Sequence, residues 1–237
     1  MKPRVFACWL SSALLLSSCL APAASNPSTL VLKRAWVEKY KNRATISGTM
    51  FVDHALKTPK TPSPSKPAND GDIHAAGRSA QVGLPMVAEI MNAADTPKAL
   101  GLVQDRVKDH QQAKVTGVWR LWFEHPPSGE TQEQDFEHLD VPEGTNPDHC
   151  FEIHPLVKFE TELLEKTFHT IPKFKPKDAK QAFNRYEKLK LALRANSDSI
   201  TLSSSMVGFN YVRFRLRLHG KPTPLAGHDG SQALADI

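Results

Sequence analysis

Between Ala44 and Val52 the chain alternates, with Ala44, Ile46, Gly48, Met50 and Val52 on one side and Thr45, Ser47, Thr49 and Phe51 on the other. A period of two predicts a strand. The Pro- and Lys-rich stretch from Lys57 to Asn69 has no apolar period and predicts a long mobile loop. Asp72 to Ala76 and Leu84 to Met91 read as two further strands, joined by a turn around Ala80 to Gly83. Thr96-Pro97 then has the form of an N-cap followed by Pro at the first helical position. Leu100, Val103 and Val107 follow at helical spacing. Lys114 to Phe123 alternates again, and Cys150 to Glu160 places Phe151, Ile153, Pro155, Val157 and Phe159 on one face.

The order is strand, long loop, strand, strand, helix, strand, long loop, strand. That order predicts a mainly β protein with helices (α+β), built on a five-stranded Greek-key barrel of the oligonucleotide/oligosaccharide-binding (OB) type over residues 44–160. The alternative with the same elements is a plain β-sandwich carrying one helix. Residues 161–237 read as a helix-and-strand extension. Thr161 to His169 predicts a short helix, and Asp178 to Ala195 a longer one with Phe183, Tyr186, Leu189 and Leu193 as its apolar stripe. Phe209 to Leu218 predicts a strand. The final Ala-Leu-Ala-Asp-Ile reads as a strand cut short, as in a truncated chain.

The N-terminus has a different character. Lys2 and Arg4 precede a mostly apolar run from Val5 to Leu16, the form of an export signal over residues 1–18. Leu16-Ser17-Ser18-Cys19 has the form of a lipobox and predicts lipidation at Cys19 and attachment to a membrane. Ala21-Pro22-Ala23 offers an ordinary cleavage site instead. The lipobox is preferred because it lies directly against the apolar core. Residues 19–43 would then be tether and lead-in, and the protein would belong to a bacterial cell envelope, the periplasm or the medium. Losing Lys2 and Arg4 lowers the net charge from +5 to +3, too little to point to nucleic acid by itself. With three cysteines, neither a disulfide scaffold nor a multi-Cys zinc site is expected.

Candidate chemistry lies on the predicted strands. Asp70-Gly71-Asp72-Ile73-His74 sets two carboxylates and an imidazole on one face, and Glu152-Ile153-His154 sets one of each, with the Ile pointing oppositely each time. Glu89 is on the next strand, Arg120 and Glu124 are on the outer side of theirs, and His125 lies where that strand ends. Asp72, His74, Glu89, His125, Glu152 and His154 are thus candidate ligands for a divalent ion such as Zn²⁺ or Mn²⁺. Glu89, Arg120, Glu152 and His154 are candidate catalytic groups. The same pairs also serve as hydrogen-bonded or cross-strand pairs that fix sheet register. Arg213, Arg215 and Arg217 form a row suited to an anionic polymer, nucleic acid or polysaccharide, or to the charged edge of a sheet.

With Asp-Gly-Asp-Ile-His, Val-Ala-Glu-Ile, Gly-Val-Trp-Arg-Leu-Trp and Glu-Ile-His-Pro in view, the chain resembles a group of exported bacterial proteins of unassigned function. The resemblance covers about residues 70–160 and implies an OB-like barrel with Asp72, His74, Glu89, His125, Glu152 and His154 as a shared patch. It brings no known reaction. No Gly-x-Ser-x-Gly element or Cys-His nucleophile is visible. The expected function is therefore a binding module for an unknown ligand. The rival is a metal-dependent phosphodiesterase or nuclease-like hydrolase.

Overall fold

A computed structural model describes residues 26–66, 69–126, 129–171, 173–189, 191–226 and 229–237. The expected export signal, Cys19 and the first part of the expected tether lie outside the described residues.

The five predicted strands form, and they close. They are β2 (Thr45–Ala55), β3 (Ile73–Arg78), β4 (Met86–Ile90), β5 (Gln112–Leu121) and β7 (Phe151–Phe159). β2 pairs antiparallel with β3 and β5, β3 with β4, and β5 with β7. A parallel pairing of β4 with β7, Met86 opposite Phe151, shuts the barrel. The cyclic order β2-β3-β4-β7-β5, with a helix between β4 and β5, is the OB arrangement.

Alternation places Ile46, Met50, Ile73, Ala75, Met86, Ala88, Val115, Phe151, Ile153 and Phe159 inside, all buried. Closure requires sharp bending, and two glycines permit it. A Cβ on Gly77 would lie 1.8 Å from the Phe51 carbonyl oxygen, beside the bulge between Val52 and His54. A Cβ on Gly117 would lie 2.6 Å from the Pro155 carbonyl oxygen, at the β5–β7 register shift. Bulges of this kind increase local twist and turn strands around a small barrel.

The helix α2 (Pro97–Asp109) begins with Pro97 at its first position, as expected, although the Thr96 hydroxyl makes no capping bond. It buries Ala99 and Val103, with Val107 partly covered. The lead-in is folded rather than slack. β1 (Ser28–Lys33) runs into α1 (Arg34–Tyr40), and Trp36 packs its ring against Tyr40, Trp119 and Phe151 at centroid separations of 4.9–6.0 Å.

The extension departs most from expectation. Residues 161–169 hold a two-residue strand, β8 (Glu162–Leu163), and one 3₁₀ turn, not a helix. After the short β9 (Lys177–Asp178), α3 stops at Lys188 (Ala179–Lys188). Leu191–Ala195 forms β10, paired with β11 (Ser199–Ser204). β11 continues onto β1, and β1 onto β6 (Thr131–Glu133), a strand inside the second predicted long loop, between β5 and β7. β-Pairing between distant segments, Lys33 opposite Ser199 through Ser28 opposite Ser204, thus overrode the local helical spacing of Leu189 and Leu193. The strand expected over 209–218 is reduced to two-residue pairings at Val212–Arg213 and Arg217–Leu218, with Phe214, Leu216 and Leu218 about half exposed.

Candidate metal centre

The register aligns the outward-facing side chains of four strands. His74 stands opposite Glu89 across β3 and β4, Val87 opposite Glu152 across β4 and β7, and Arg120 opposite Glu152 across β5 and β7. A cleft of about 590 Å³ opens over this row, lined on the barrel side by Asp70, Asp72, His74, Glu89, Arg120 and His154, with His125 at its margin. Its far wall comes from the extension, through Phe174, Lys175, Lys177, Phe209 and Tyr211. Every candidate metal ligand named from the sequence is therefore brought to one place. Arg213, Arg215 and Arg217 are not: all three are exposed, and none lines the cleft.

The residues fall into two groups, each of three ligand atoms lying within 4.8 Å of one another. Either group can hold a metal ion. The first is His125, His149 and Glu152, and the second is Asp72, Glu89 and His154. His149 was not among the sequence candidates. It sits just before β7, three residues from Glu152, an offset that strand alternation assigns to the opposite face. A bend at the strand entrance brings it round, and His149 Nε2 lies 3.4 Å from Glu152 Oε1.

In the first group His149 and Glu152 are fully buried. Neither His149 Nε2 nor Glu152 Oε1 has a hydrogen-bond partner among the described residues, an unusual state for buried polar atoms. The other His149 nitrogen, Nδ1, is 2.6 Å from the Pro147 carbonyl oxygen. That carbonyl can only accept, so Nδ1 carries a proton and Nε2 faces Glu152 Oε1; with Nε2 deprotonated this is the tautomer that a metal takes. His125 stacks on His149 with ring centroids 4.6 Å apart, and its Nε2 is 3.7 Å from Glu152 Oε1. Glu152 Oε2 is held from the other side by the Arg120 Nε and Nη2 donors, each at 2.5 Å. Arg120 also donates to Asn210 and lies over the Trp122 ring. It is a holder of Glu152 rather than a free anion site.

In the second group His154 Nε2 is 3.4 Å from Glu89 Oε2 and 3.8 Å from Asp72 Oδ2. Asp72 Oδ1 accepts the Asn92 backbone N–H, and Asp70 Oδ1 accepts the Asp72 N–H in a turn closed by Gly71 at φ +94°. His74 Nε2 flanks the group, 3.7 Å from Glu89 Oε1.

Contacts of 3.4–3.8 Å are too long for hydrogen bonds. They suit the edges of a coordination shell, since two atoms each about 2.1 Å from one ion in tetrahedral geometry lie about 3.4 Å apart.

The electrostatics run the same way. Burial lowers His74, His125 and His154, the last to about 3 with the Arg120 charge adding, so the three imidazoles are neutral near pH 7. Neutral imidazole is the ligand form. Burial would raise Glu152, but His149 and Arg120 outweigh it and hold the carboxyl at about 2. Burial raises Glu89 well above its usual range, with Glu152 adding to it, and raises Asp72 to about 7, with Asp70 adding. The Arg120 charge offsets only part of this, and neither carboxyl forms an ion pair with a lysine or arginine among the described residues.

Compared with known proteins, the chain matches no family model, no curated protein and no solved structure. Fold and site define its class directly: a closed OB-like barrel with two adjacent His/carboxylate groups, each able to hold a metal ion.

Proposed function

We propose that this protein is a metal-dependent hydrolase that cleaves a phosphoester over the outer face of its barrel. The observation that carries the reading is the fully buried pair His149 Nε2 and Glu152 Oε1, 3.4 Å apart and neither with a hydrogen bond among the described residues. Burying two such atoms unsatisfied costs about 1–3 kcal/mol each, and a divalent ion removes that cost. His125, His149 and Glu152 would hold the ion, with Zn²⁺ or Mn²⁺ suiting two imidazoles and a carboxylate. Bound there, it would supply an acidified water and a Lewis acid for a phosphoryl oxygen.

The remaining work belongs to the chain's own side chains. Arg120 positions Glu152. His74, a neutral imidazole opening to the cleft, accepts the proton of the attacking water. The water oxygen forms the new P–O bond, the P–O bond to the leaving alcohol breaks, and the alkoxide leaves as alcohol with the proton that His74 took from the water. Support for an anionic substrate comes from Lys175 and Lys177 on the far wall of the same cleft.

Metal analysis of the purified protein tests the reading, followed by a bis(p-nitrophenyl) phosphate assay with and without chelator. Bound metal with chelator-sensitive turnover is expected. Protein that binds neither Zn²⁺ nor Mn²⁺ defeats it.

A second reading has its own support. Phe174, Phe209 and Tyr211 line the wall beside the two lysines, a combination that stacks and neutralises an anionic polymer such as nucleic acid or polysaccharide. On that reading the barrel is a binding module, and the chain retains such a polymer with no turnover.

Export with lipid attachment at Cys19 completes the proposal, resting on the lipobox. Labelled palmitate should enter the full chain and not its Cys19→Ser variant. An unlabelled, wholly soluble wild-type protein rejects the anchor.

A further inference from the structure

Asp72, just before β3, and Glu89, on the neighbouring β4, are 7% and 5% exposed, and His154 Nε2 faces both. Buried carboxylates ordinarily have a cation or several N–H donors. Here the nearest guanidinium, Arg120, is committed to Glu152 and Asn210. No lysine or arginine forms an ion pair with Asp72 or Glu89 among the described residues. The Asp72 side chain accepts one backbone N–H, which turns Oδ1 away and leaves Oδ2 toward His154. Asn92, the donor, is itself anchored by its side chain to the Thr167 and His169 carbonyls, so the carboxylate is held in place. Of these three carboxylates only Glu152 is paired with the guanidinium, and Asp72 and Glu89 have only His154 and His74 as ion-pair partners among the described residues.

His154 links this pair to the first group. Its Nδ1 is buried without a hydrogen-bond partner among the described residues, 4.0 Å from Glu152 Oε2. One imidazole ring therefore stands between the two ligand sets.

We infer that the site takes two divalent ions, one on His125, His149 and Glu152 and a second on Asp72, Glu89 and His154. The inference rests on the metal-dependent reading above and deepens it. The first set, rich in imidazole, suits Zn²⁺. The second, with two carboxylates and one imidazole, suits Mn²⁺ as well. Paired ions act on phosphoesters as a clamp, one on the attacking oxygen and one on the leaving oxygen.

The test is stoichiometry. The full protein is freed of metal by chelator, loaded separately with Zn²⁺ and with Mn²⁺, desalted, and analysed for metal per chain. At least one of these metals should reach two ions in the wild type. Asp72→Asn/Glu89→Gln should hold one, and His149→Ala should hold one. Circular dichroism and melting confirm that each variant is folded. Asp72→Asn alone, which keeps the oxygen facing Asn92, serves if the double variant is not, and should lower the second affinity by at least tenfold. One ion in the wild type, unchanged in Asp72→Asn/Glu89→Gln, overturns the second site and leaves the first reading standing. One ion lost in all variants also overturns it, because both sets then share a single ion. No ion in the wild type overturns the metal-dependent reading itself.

Discussion

Arg120 and Glu152 face each other in register across β5 and β7, and the guanidinium takes only one of the two carboxylate oxygens. Both short contacts go to Oε2, leaving Oε1 turned toward His125 and His149. A bidentate pair using both oxygens would have closed the site to a metal. The pair therefore orients a ligand rather than simply stabilising a sheet.

Replacing Arg120 by Met removes that orientation and leaves a buried carboxylate without its cation. Breaking such a pair costs up to about 3–5 kcal/mol; because Arg120 is partly solvated, about 2–3 kcal/mol is expected in urea unfolding. Zn²⁺ affinity should fall about 10–100-fold, as for other residues that position ligands. Unchanged affinity would remove Arg120 from the metal argument.

Asp72 sets a pH dependence. Its carboxyl titrates at about 7 in the folded chain against an ordinary 3.8, so the folded state binds the proton more tightly. Stability from this group is then complete below about pH 4 and lost as pH rises toward 7. The loss amounts to about 2–4 kcal/mol in metal-free protein. Asp72→Asn should flatten that part of the profile and raise the stability of the metal-free protein at pH 7.5. Equal slopes for wild type and variant in denaturant titrations between pH 4 and 7 would count against it.

Metal should stabilise the native state, since the ligand sets form only on folding. At a free concentration about 100 times Kd, the gain is about 2.7 kcal/mol. The wild type should melt several degrees higher with Zn²⁺ at pH 7.5. In His149→Ala the shift should shrink markedly.

Gly117 tests barrel closure. A Cβ there would meet the Pro155 carbonyl and the Ile153 side chain, 2.6 and 2.4 Å away. Gly117→Ala should cost about 2 kcal/mol or more and loosen the strand that carries Glu152 and His154. Wild-type stability in this variant would show that β5 can move aside freely.

Cys150 is buried, and burial pushes its thiol up to about 12, with Glu152 adding. It should react with a disulfide reagent at least about 100-fold more slowly in the native state than in denaturant. Comparable rates would mean that the mouth of β7 opens readily.

The alternation of Ile46, Met50, Ile73, Phe151 and Ile153 was enough to read the barrel strands from the sequence, and Thr96-Pro97 to read the helix between them. Such periodicities are local, because an apolar face must recur every two residues on a strand wherever its partner lies. The same rule placed Asp72, His74, Glu152 and His154 on outward faces. Long-range pairing alone decided the rest. Leu191–Ala195 has helical spacing, yet it became a strand because β11 and β1 provided an edge for it. His149 lies out of phase with Glu152, so only the bend into β7 could bring its imidazole to the carboxylate. The choice of Arg120 for Glu152, rather than for Asp72 or Glu89, followed from strand register, which depends on closure of the whole barrel. Residue types and faces are properties of short segments, whereas the convergence of six side chains from distant segments at one site exists only once those segments are packed.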